Sequence, residues 1–130
     1  MPVDVKELKK KIRDADAILI ATPEHNYSIT AILKNAIEWG NRPPKDASWS
    51  GKPAAIISAS TSLRGGARAQ LHLRQIMIDL NMYPINRPQL FVANAREKFN
   101  ENLQLTDEET LQTLRDVLSS LVEWTRRLQR

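Results

Sequence analysis

Two different spacings of hydrophobic residues alternate along the chain. Residues 4–14 are apolar at helical spacing, which predicts an amphipathic helix with Asp4 as its N-terminal cap. The apolar positions of this helix are Val5, Leu8 and Ile12. Residues 16–22 are instead apolar at every inner position, and Pro23 ends the run. A continuous run of this kind is typical of a central parallel strand that is covered on both faces.

The middle of the chain predicts two more helices and a second strand. Ser28 is suited to cap a helix that Gly40 ends. The apolar face of that helix comprises Ile29, Ile32, Leu33, Ala36 and Ile37. Residues 53–58 repeat the buried-strand pattern, and a further helix follows them. Its apolar face comprises Ala69, Leu73, Ile76, Met77 and Leu80.

The last third of the chain predicts weaker strands and one long helix. Residues 82–85 and 89–93 resemble strands, but Pro84 and Pro88 interrupt them, which indicates the edge of a sheet. Residues 106–109, Thr-Asp-Glu-Glu, form a capping box at the start of a helix. One side of this helix carries Leu111, Leu114, Leu118, Leu121 and Leu128.

Helices and strands therefore alternate along the whole chain. This order predicts an α/β fold with a parallel sheet, right-handed crossovers and helices on both faces. The 130 residues suit one domain that spans 1–130, and no internal repeat or linker interrupts them.

Composition excludes several classes of function. Cysteine is absent, which rules out a disulfide scaffold, a thiolate nucleophile and a cysteine-ligated metal, and which fits a cytoplasmic protein. The longest apolar run, residues 17–21, is far shorter than the roughly 20 residues of a membrane helix. The net charge is +4, but the basic runs lie on a helix face and in a tail, without interleaved aromatic residues. We therefore expect neither nucleic acid nor a membrane as a partner.

Two loops lie where a ligand is expected, because open parallel sheets bind ligands beyond the carboxyl ends of their strands. The first loop, residues 22–28, offers an aromatic face, an amide and hydroxyls, as a planar ring with polar edges requires. The second loop, residues 58–68, is small and polar, and Gly65 and Gly66 permit unusual backbone angles. Composition alone leaves two interpretations of the second loop open, a ligand-binding loop and a tight turn.

Other kinds of site find little support in the sequence. His25 and His72 are the only histidines and lack metal-binding spacing. The chain has no G-x-S-x-G turn, no G-x-G-x-x-G segment and no G-x-x-x-x-G-K-[ST] segment. Glu24 is a candidate general base, although a carboxylate before a helix more often stabilises the helix dipole or the loop. The three tryptophans fit packing or interface positions better than a stacking platform.

Several segments together resemble a known family. They are residues 21–29 (ATPEHNYSI), 33–39 (LKNAIEW), 51–53 (GKP), 65–70 (GGARAQ) and 86–88 (NRP). At this spacing they are similar to the NADPH-dependent FMN reductase family, and the likeness extends over residues 5–125. The resemblance implies a flavodoxin-like, three-layer open parallel sheet. It also implies hydride transfer from NADPH or NADH through FMN to an acceptor such as a quinone, an azo compound or a metal oxyanion.

The resemblance further implies which residues hold the cofactor. The first loop borders the isoalloxazine ring, where Asn26 and Tyr27 contact the flavin and Glu24 shapes the loop. The second loop wraps the opposite edge of the ring, and Arg68 near the site mouth suits the phosphates of a nicotinamide cofactor. The expected cofactor-binding residues are Pro23, Glu24, His25, Asn26, Tyr27, Ser28, Ser58, Ser60, Thr61, Gly65, Gly66 and Arg68. No catalytic side chain is expected, because the flavin supplies the chemistry.

The chain also departs from the family pattern. His25 stands where tyrosine is usual, Thr30 replaces a proline at the helix start, and Leu71 replaces a frequent tyrosine. Family members begin with a strand, a Gly-Ser-x-Arg-x-x-Ser phosphate loop, a helix and a second strand, and this chain contains none of them. We therefore expect an N-terminally truncated flavodoxin-like fold in which the strand at residues 16–22 has one open edge.

Three interpretations of activity stay open at this point: an FMN reductase, an inactive remnant or partner subunit that binds no flavin, and the truncated gene model of an active parent. Without the phosphate loop, we expect weak FMN binding. The open strand edge, together with the dimers and tetramers that are common in the family, predicts a homodimer or homotetramer, or a need for a separate amino-terminal fragment.

Overall fold

The computed structural model describes residues 1–130 as five helices and four strands. The helices are α1 (Val3–Asp14), α2 (Ala31–Gly40), α3 (Ala67–Asp79), α4 (Ala95–Lys98) and α5 (Glu108–Leu128). The strands are β1 (Ile18–Thr22), β2 (Pro53–Ala59), β3 (Tyr83–Pro84) and β4 (Leu90–Val92). The predicted alternation of helices and strands is confirmed, and only the short α4 has no counterpart in the sequence pattern.

The four strands form an open parallel sheet around β2. On one side β1 runs parallel to β2, in a register from Ile18 opposite Ala54 to Thr22 opposite Ser58. On the other side β3 pairs with the start of β2, and β4 pairs with its end. Both edge predictions are confirmed, because β1 has one unpaired side and the proline-interrupted strands pair only with β2.

Helices cover both faces of the sheet and make three layers. On one face α1, α2 and α3 enclose a core that includes Ile37, Leu73 and Met77, packed with Ile56 of β2. On the other face α5 packs Val117 and its neighbours against alternate residues of β2 and against β4. Since successive side chains of a strand point to opposite faces, the near-continuous apolar sequence of β2 serves both cores.

One face of β1 is not covered, contrary to expectation. Leu19 is 43% exposed and Ala21 is also exposed, whereas Ile20 and Thr22 on the other face are buried. The reason is that α5 lies over β2 and β4. The unpaired edge and the open face of β1 together leave apolar surface accessible to solvent.

Three predicted helix caps are wrong by one to two residues. Asp4 does not cap α1, because the helix already begins at Val3 and Pro2 precedes it. Thr30, rather than Ser28, caps α2 by accepting a hydrogen bond from the Leu33 amide at 3.0 Å. The cap of α5 is the residue after Thr106: the Asp107 carboxylate accepts from the Thr110 amide at 3.0 Å. For α2 and α5 a neighbouring residue with a side-chain oxygen takes the cap position, whereas α1 has no side-chain cap.

Some apolar positions assigned to helix faces are exposed. Ile32 on α2 is 84% exposed, and Leu118 and Leu128 on α5 also face solvent in part. The buried side of α5 is formed by Thr110, Val117, Leu121 and Thr125. None of the helices combines the length and the apolar character that a membrane crossing requires.

Candidate functional site

The first loop closes a tight hairpin immediately before α2. The His25 amide donates to the Ser28 carbonyl at 2.9 Å, and the Ser28 amide donates to the His25 carbonyl at 3.0 Å. Asn26 and Tyr27 between them have φ values of 50° and 70°, the left-handed backbone that a type I′ turn requires. Asparagine tolerates this conformation, whereas tyrosine is strained in it. The turn projects from the protein, and the Tyr27 side chain at its tip is 62% exposed.

Glu24 joins the first loop to the second. One carboxylate oxygen accepts the Arg68 Nε–H at 2.8 Å, and the other accepts the Ala69 amide at 3.1 Å. Gly66 precedes α3 and offers no side-chain cap. The carboxylate of Glu24 therefore satisfies a free amide at the start of α3, as a capping side chain does at other helices.

Glu24 is held in its charged form. Burial, the largest single influence, favours a higher pKa, but the hydrogen bonds from Arg68 and Ala69 and the Arg68 charge together bring the pKa of Glu24 below its ordinary value. Both carboxylate oxygens are already engaged. These contacts favour the structural interpretation of Glu24 over a general base.

Arg68 continues the connection toward the surface. Its guanidinium pairs with Glu24 and lies 3.8 Å from the centre of the Tyr27 ring, over the ring face. Such a cation–π contact stabilises a partly exposed pair by about 0.5–2 kcal/mol. Glu24 thus fixes Arg68, and Arg68 fixes the orientation of Tyr27. The positive charge expected to meet cofactor phosphates is balanced within the protein by Glu24.

The second loop is fixed by two glycines that pack against the neighbouring strands. Gly65 has φ +60°, and a Cβ there would lie 2.8 Å from the Phe91 backbone. Gly66 has φ +87°, and a Cβ there would lie 2.6 Å from the Ser58 Cβ. The Ser58 hydroxyl is buried and donates to the Gly65 carbonyl at 2.6 Å. The two glycines and Ser58 therefore shape the loop from within.

The remaining polar groups of the second loop lie nearer to solvent. The Ser60 hydroxyl accepts from the Ser62 amide at 3.1 Å, while the Ser60 amide donates to the Val92 carbonyl at 2.9 Å. Thr61 is exposed beside them. The loop is a tight turn whose outer residues are accessible to a ligand, so the turn geometry is compatible with a ligand-binding loop as well.

An apolar cavity of about 510 Å³ opens at the carboxyl ends of β1, β2 and β4. This volume lies in the usual range for small-molecule sites. Its lining includes Pro23 from the first loop and Ser58 from the end of β2. The other lining residues are Ala21, Thr22, Ile57, Ala59, Leu90, Val92, Phe99, Leu103, Leu105 and Leu114.

The predicted site residues divide between two sides of this sheet edge. Pro23 and Ser58 line the apolar cavity. His25, Asn26 and Ser28 line a second cavity of about 370 Å³ next to the start of α2. Contacts among Glu24, Arg68 and Tyr27 join the two loops. The remaining predicted residues, Ser60, Thr61, Gly65 and Gly66, lie within the second loop. Ten of the twelve residues therefore lie in two adjoining loops, while Ser58 belongs to the end of β2 and Arg68 to the first turn of α3.

Sequence reasoning missed the segment that closes the apolar cavity. Phe99 and Leu105 form an isolated antiparallel bridge, and Leu103 lies between them with φ 60°. These residues follow β4, so they lie at the same end of the sheet as the two loops. The available signal was the group of large apolar side chains in a segment that is otherwise polar.

The residues present fit the ring portion of a flavin. A planar tricyclic ring needs an apolar surface with polar groups at its rim, and the cavity with its two polar loops supplies both. The phosphate group of FMN finds no such match in these two loops. Glu24 already occupies the amide at the start of α3 and pairs with Arg68, so neither positive feature is free for an anion.

Comparisons with known proteins agree with the fold and the motifs. The model of the NADPH-dependent FMN reductase family matches residues 1–97. An NAD(P)H-dependent FMN reductase of Pseudomonas aeruginosa is 44% identical over 128 residues, which are 98% of this chain and 69% of that protein. An NADPH:quinone oxidoreductase of Arabidopsis thaliana is 47% identical over 131 residues, with 98% and 65% covered.

A solved structure shows the same architecture. The flavoenzyme NAD(P)H:(acceptor) oxidoreductase FerB of Paracoccus denitrificans superposes with a TM-score of 0.88 at 34% identity. The match covers 97% of this chain and 69% of FerB. The chain thus spans about two thirds of the length of these relatives. With its flavodoxin-like parallel sheet and its two characteristic loops, the chain belongs to the NADPH-dependent FMN reductase family.

Proposed function

We propose that the chain acts in NAD(P)H-dependent reduction of an acceptor through FMN, with the flavin ring held between the first and second loops. The observation that carries the proposal is the junction at Glu24, which joins both loops beside an apolar cavity at the carboxyl end of the sheet. Relatives named as FMN reductases and quinone reductases support the same reaction class.

The protein contributes position and environment in this proposal. A bound FMN would supply the chemistry, by taking a hydride from NADH or NADPH and passing electrons to the acceptor. Asn26 and Tyr27 would meet the ring from the first loop, and Ser60 and Thr61 would meet it from the second. The apolar cavity would exclude water from the ring. Glu24 stays ionised and acts on the loops rather than on a proton.

A quinone is the acceptor that the relatives support best. Relatives from Solanum tuberosum and Escherichia coli are named as quinone reductases. The face of the exposed Tyr27 ring opposite Arg68 is flat and apolar, of the kind that a planar quinone would stack on. Azo compounds and metal oxyanions stay proposals from the family resemblance alone, as does a location in the cytoplasm from the absence of cysteine.

The chain should recognise the flavin ring more than the flavin phosphate. Arg68 is neutralised by Glu24, and the same carboxylate fills the start of α3. We therefore expect FMN and riboflavin to bind this chain with dissociation constants within about threefold of each other, because each free charge-assisted phosphate contact would add about 1.5–3 kcal/mol. Fluorescence titration with both flavins checks this, and a preference of a hundredfold for FMN would contradict it.

Substitutions in the first loop test the proposed position of the ring. We expect Asn26→Ala and Tyr27→Ala each to weaken flavin binding by about tenfold, because each substitution removes a contact worth about 1–2 kcal/mol. Lys10→Ala is the control, since Lys10 lies on the exposed face of α1. Equal effects of all three substitutions would refute the assignment. A folded chain that binds neither flavin would favour the flavin-free partner subunit instead.

We also propose that the chain forms a homodimer or homotetramer. Two helices each carry an exposed apolar pair at a spacing of seven residues, which places each pair on one helix face. The pairs are Ile32 and Trp39 on α2 and Leu71 and Ile78 on α3. We expect Ile32→Glu with Ile78→Glu to shift the mass in light scattering toward the 14.8 kDa monomer. A wild-type chain that stays at the monomer mass over a wide concentration range would contradict the proposal.

A further inference from the structure

Gln70 is a buried amide to which the proposed chemistry gives no role. It lies on α3, two residues after Arg68, and is only 1% exposed. Its Nε2 group donates to the Ser58 hydroxyl and to the Leu90 carbonyl, both at 2.8 Å. Its Oε1 atom is buried without a hydrogen-bond partner. An apolar side chain would avoid this desolvation, so the two donated bonds need a structural reason.

These two bonds connect the strands that carry the second loop. The Ser58 hydroxyl, near the end of β2, accepts a hydrogen bond from Gln70 and donates one to the Gly65 carbonyl, so the three residues form a series. Leu90 begins β4. Two residues further along β4, the Val92 carbonyl accepts the amide of Ser60 at the start of the loop. Gln70 therefore contacts, from the interior, both the strand that leads into the second loop and the neighbouring strand to which Ser60 of the loop is bonded.

We propose that Gln70 is the positioning residue of the second loop, acting through Ser58 on the Gly65 carbonyl and through Leu90 on β4. Its Nε2 group supplies two donors from one rigidly packed side chain, and an apolar residue of the same size supplies none. The consequence for flavin binding rests on the proposed function, because this loop is the second edge of the proposed ring site. The effect on the loop itself does not depend on any ligand.

Amide hydrogen exchange of the flavin-free chain tests the effect on the loop. Gln70→Met keeps the volume and removes both donors, and Gln75→Met on the exposed side of α3 is the matched control. We expect the amides of Ser60 and Ala95, which bond within this region, to exchange at least about tenfold faster in Gln70→Met, with α1 amides unchanged. Unchanged exchange at Ser60 and Ala95 in a folded variant, or equal acceleration across the chain, would overturn the proposal.

A double-mutant cycle tests the serial connection. Because Gln70 acts on Gly65 through Ser58, we expect Ser58→Ala to accelerate exchange of the Ser60 amide, and we expect the double variant to accelerate it by less than the product of the two single effects. If the two accelerations of Ser60 exchange multiply in the double variant, Gln70 and Ser58 act independently, and the proposed serial connection is overturned. If Gln70→Met does not fold, Ser58→Ala alone carries the test, since it removes the link to the Gly65 carbonyl and leaves both glycines in place.

Flavin titration then separates a positioning role from a merely structural one. At a temperature where every variant is folded, we expect Gln70→Met to raise the FMN dissociation constant by about tenfold and to change the visible circular dichroism of bound flavin. Gln75→Met should leave both unchanged. If the wild-type chain binds no flavin, the proposed function fails, and hydrogen exchange still decides the role of Gln70. If Gln70→Met binds FMN as the wild type does, with the same spectrum, the positioning role is overturned.

Discussion

Removing the Glu24 carboxylate should destabilise the chain more than any other single change at the first loop. Glu24→Ala breaks the bonds to the Arg68 Nε–H and to the Ala69 amide, and it leaves a guanidinium without its partner. Charge-assisted hydrogen bonds contribute about 1.5–3 kcal/mol each. Because the Arg68 side chain is 30% exposed, water recovers part of this loss. We therefore expect the free energy of unfolding to fall by about 2–3 kcal/mol.

The effect of Glu24→Ala should depend on pH. The pKa of Glu24 is lowered in the folded chain, so its contribution is fully present above its ordinary pKa of 4.5 and is lost as the pH falls through the folded value. The stability difference between wild type and Glu24→Ala should therefore be largest near neutral pH and shrink under acid conditions.

Denaturant unfolding at several pH values, followed by tryptophan fluorescence, measures both quantities. Glu97→Ala is the control, because Glu97 is an exposed glutamate on α4, away from both loops. A loss of about 2–3 kcal/mol corresponds to a fall in Tm of roughly 6–12 °C for a domain of this size. A difference below about 0.5 kcal/mol at neutral pH, which is typical of an ordinary surface change, would refute the reasoning. So would a difference that grows as the pH is lowered.

Three further substitutions test the fold around the site. Gly66→Ala should cost about 2–4 kcal/mol, because it combines a positive φ with a steric overlap, whereas Gly51→Ala, with a positive φ in open space, should cost about 1 kcal/mol in urea unfolding. Lys9→Met should cost about 2–3 kcal/mol, since the buried ammonium bonds two backbone carbonyls, while Lys10→Met on the solvent side should change stability by less than about 0.5 kcal/mol. Asp107→Ala should lower the Tm by removing the cap of α5, and the loss should vanish in acid because the pKa of this carboxyl is lowered by bonds from Thr110.

The sequence predicts the fold well where hydrophobic burial decides the outcome. Alternation of helices and buried strands defined the sheet, and β2 appears within one residue of its predicted end. Cap positions were less predictable, because adjacent residues such as Thr106 and Asp107 can both accept the capping hydrogen bond. The exposure of Leu19 could not be predicted either, because the sequence of a strand does not show whether a helix covers its apolar residues.

The candidate site was predictable as two loops and unpredictable as a set of contacts. The position of the loops follows from the ends of buried strands, which the hydrophobic pattern reveals. The pairing of Glu24 with Arg68 joins residues 44 positions apart, and no local pattern encodes it. The inward direction of the Ser58 hydroxyl depends on Gln70 and Gly65, which the chain brings together only after the sheet has formed.

Chemical-shift mapping with labelled chain and FMN tests the central claim most directly. We expect added FMN to shift the backbone resonances of Asn26, Tyr27 and Thr61, which lie on the two loops, and we expect riboflavin to shift the same resonances. Resonances of α1, which lines neither of the two cavities, should not move. Shifts confined to other surfaces, or no shifts in a folded chain at any FMN concentration, would contradict the placement of the flavin ring between the first and second loops.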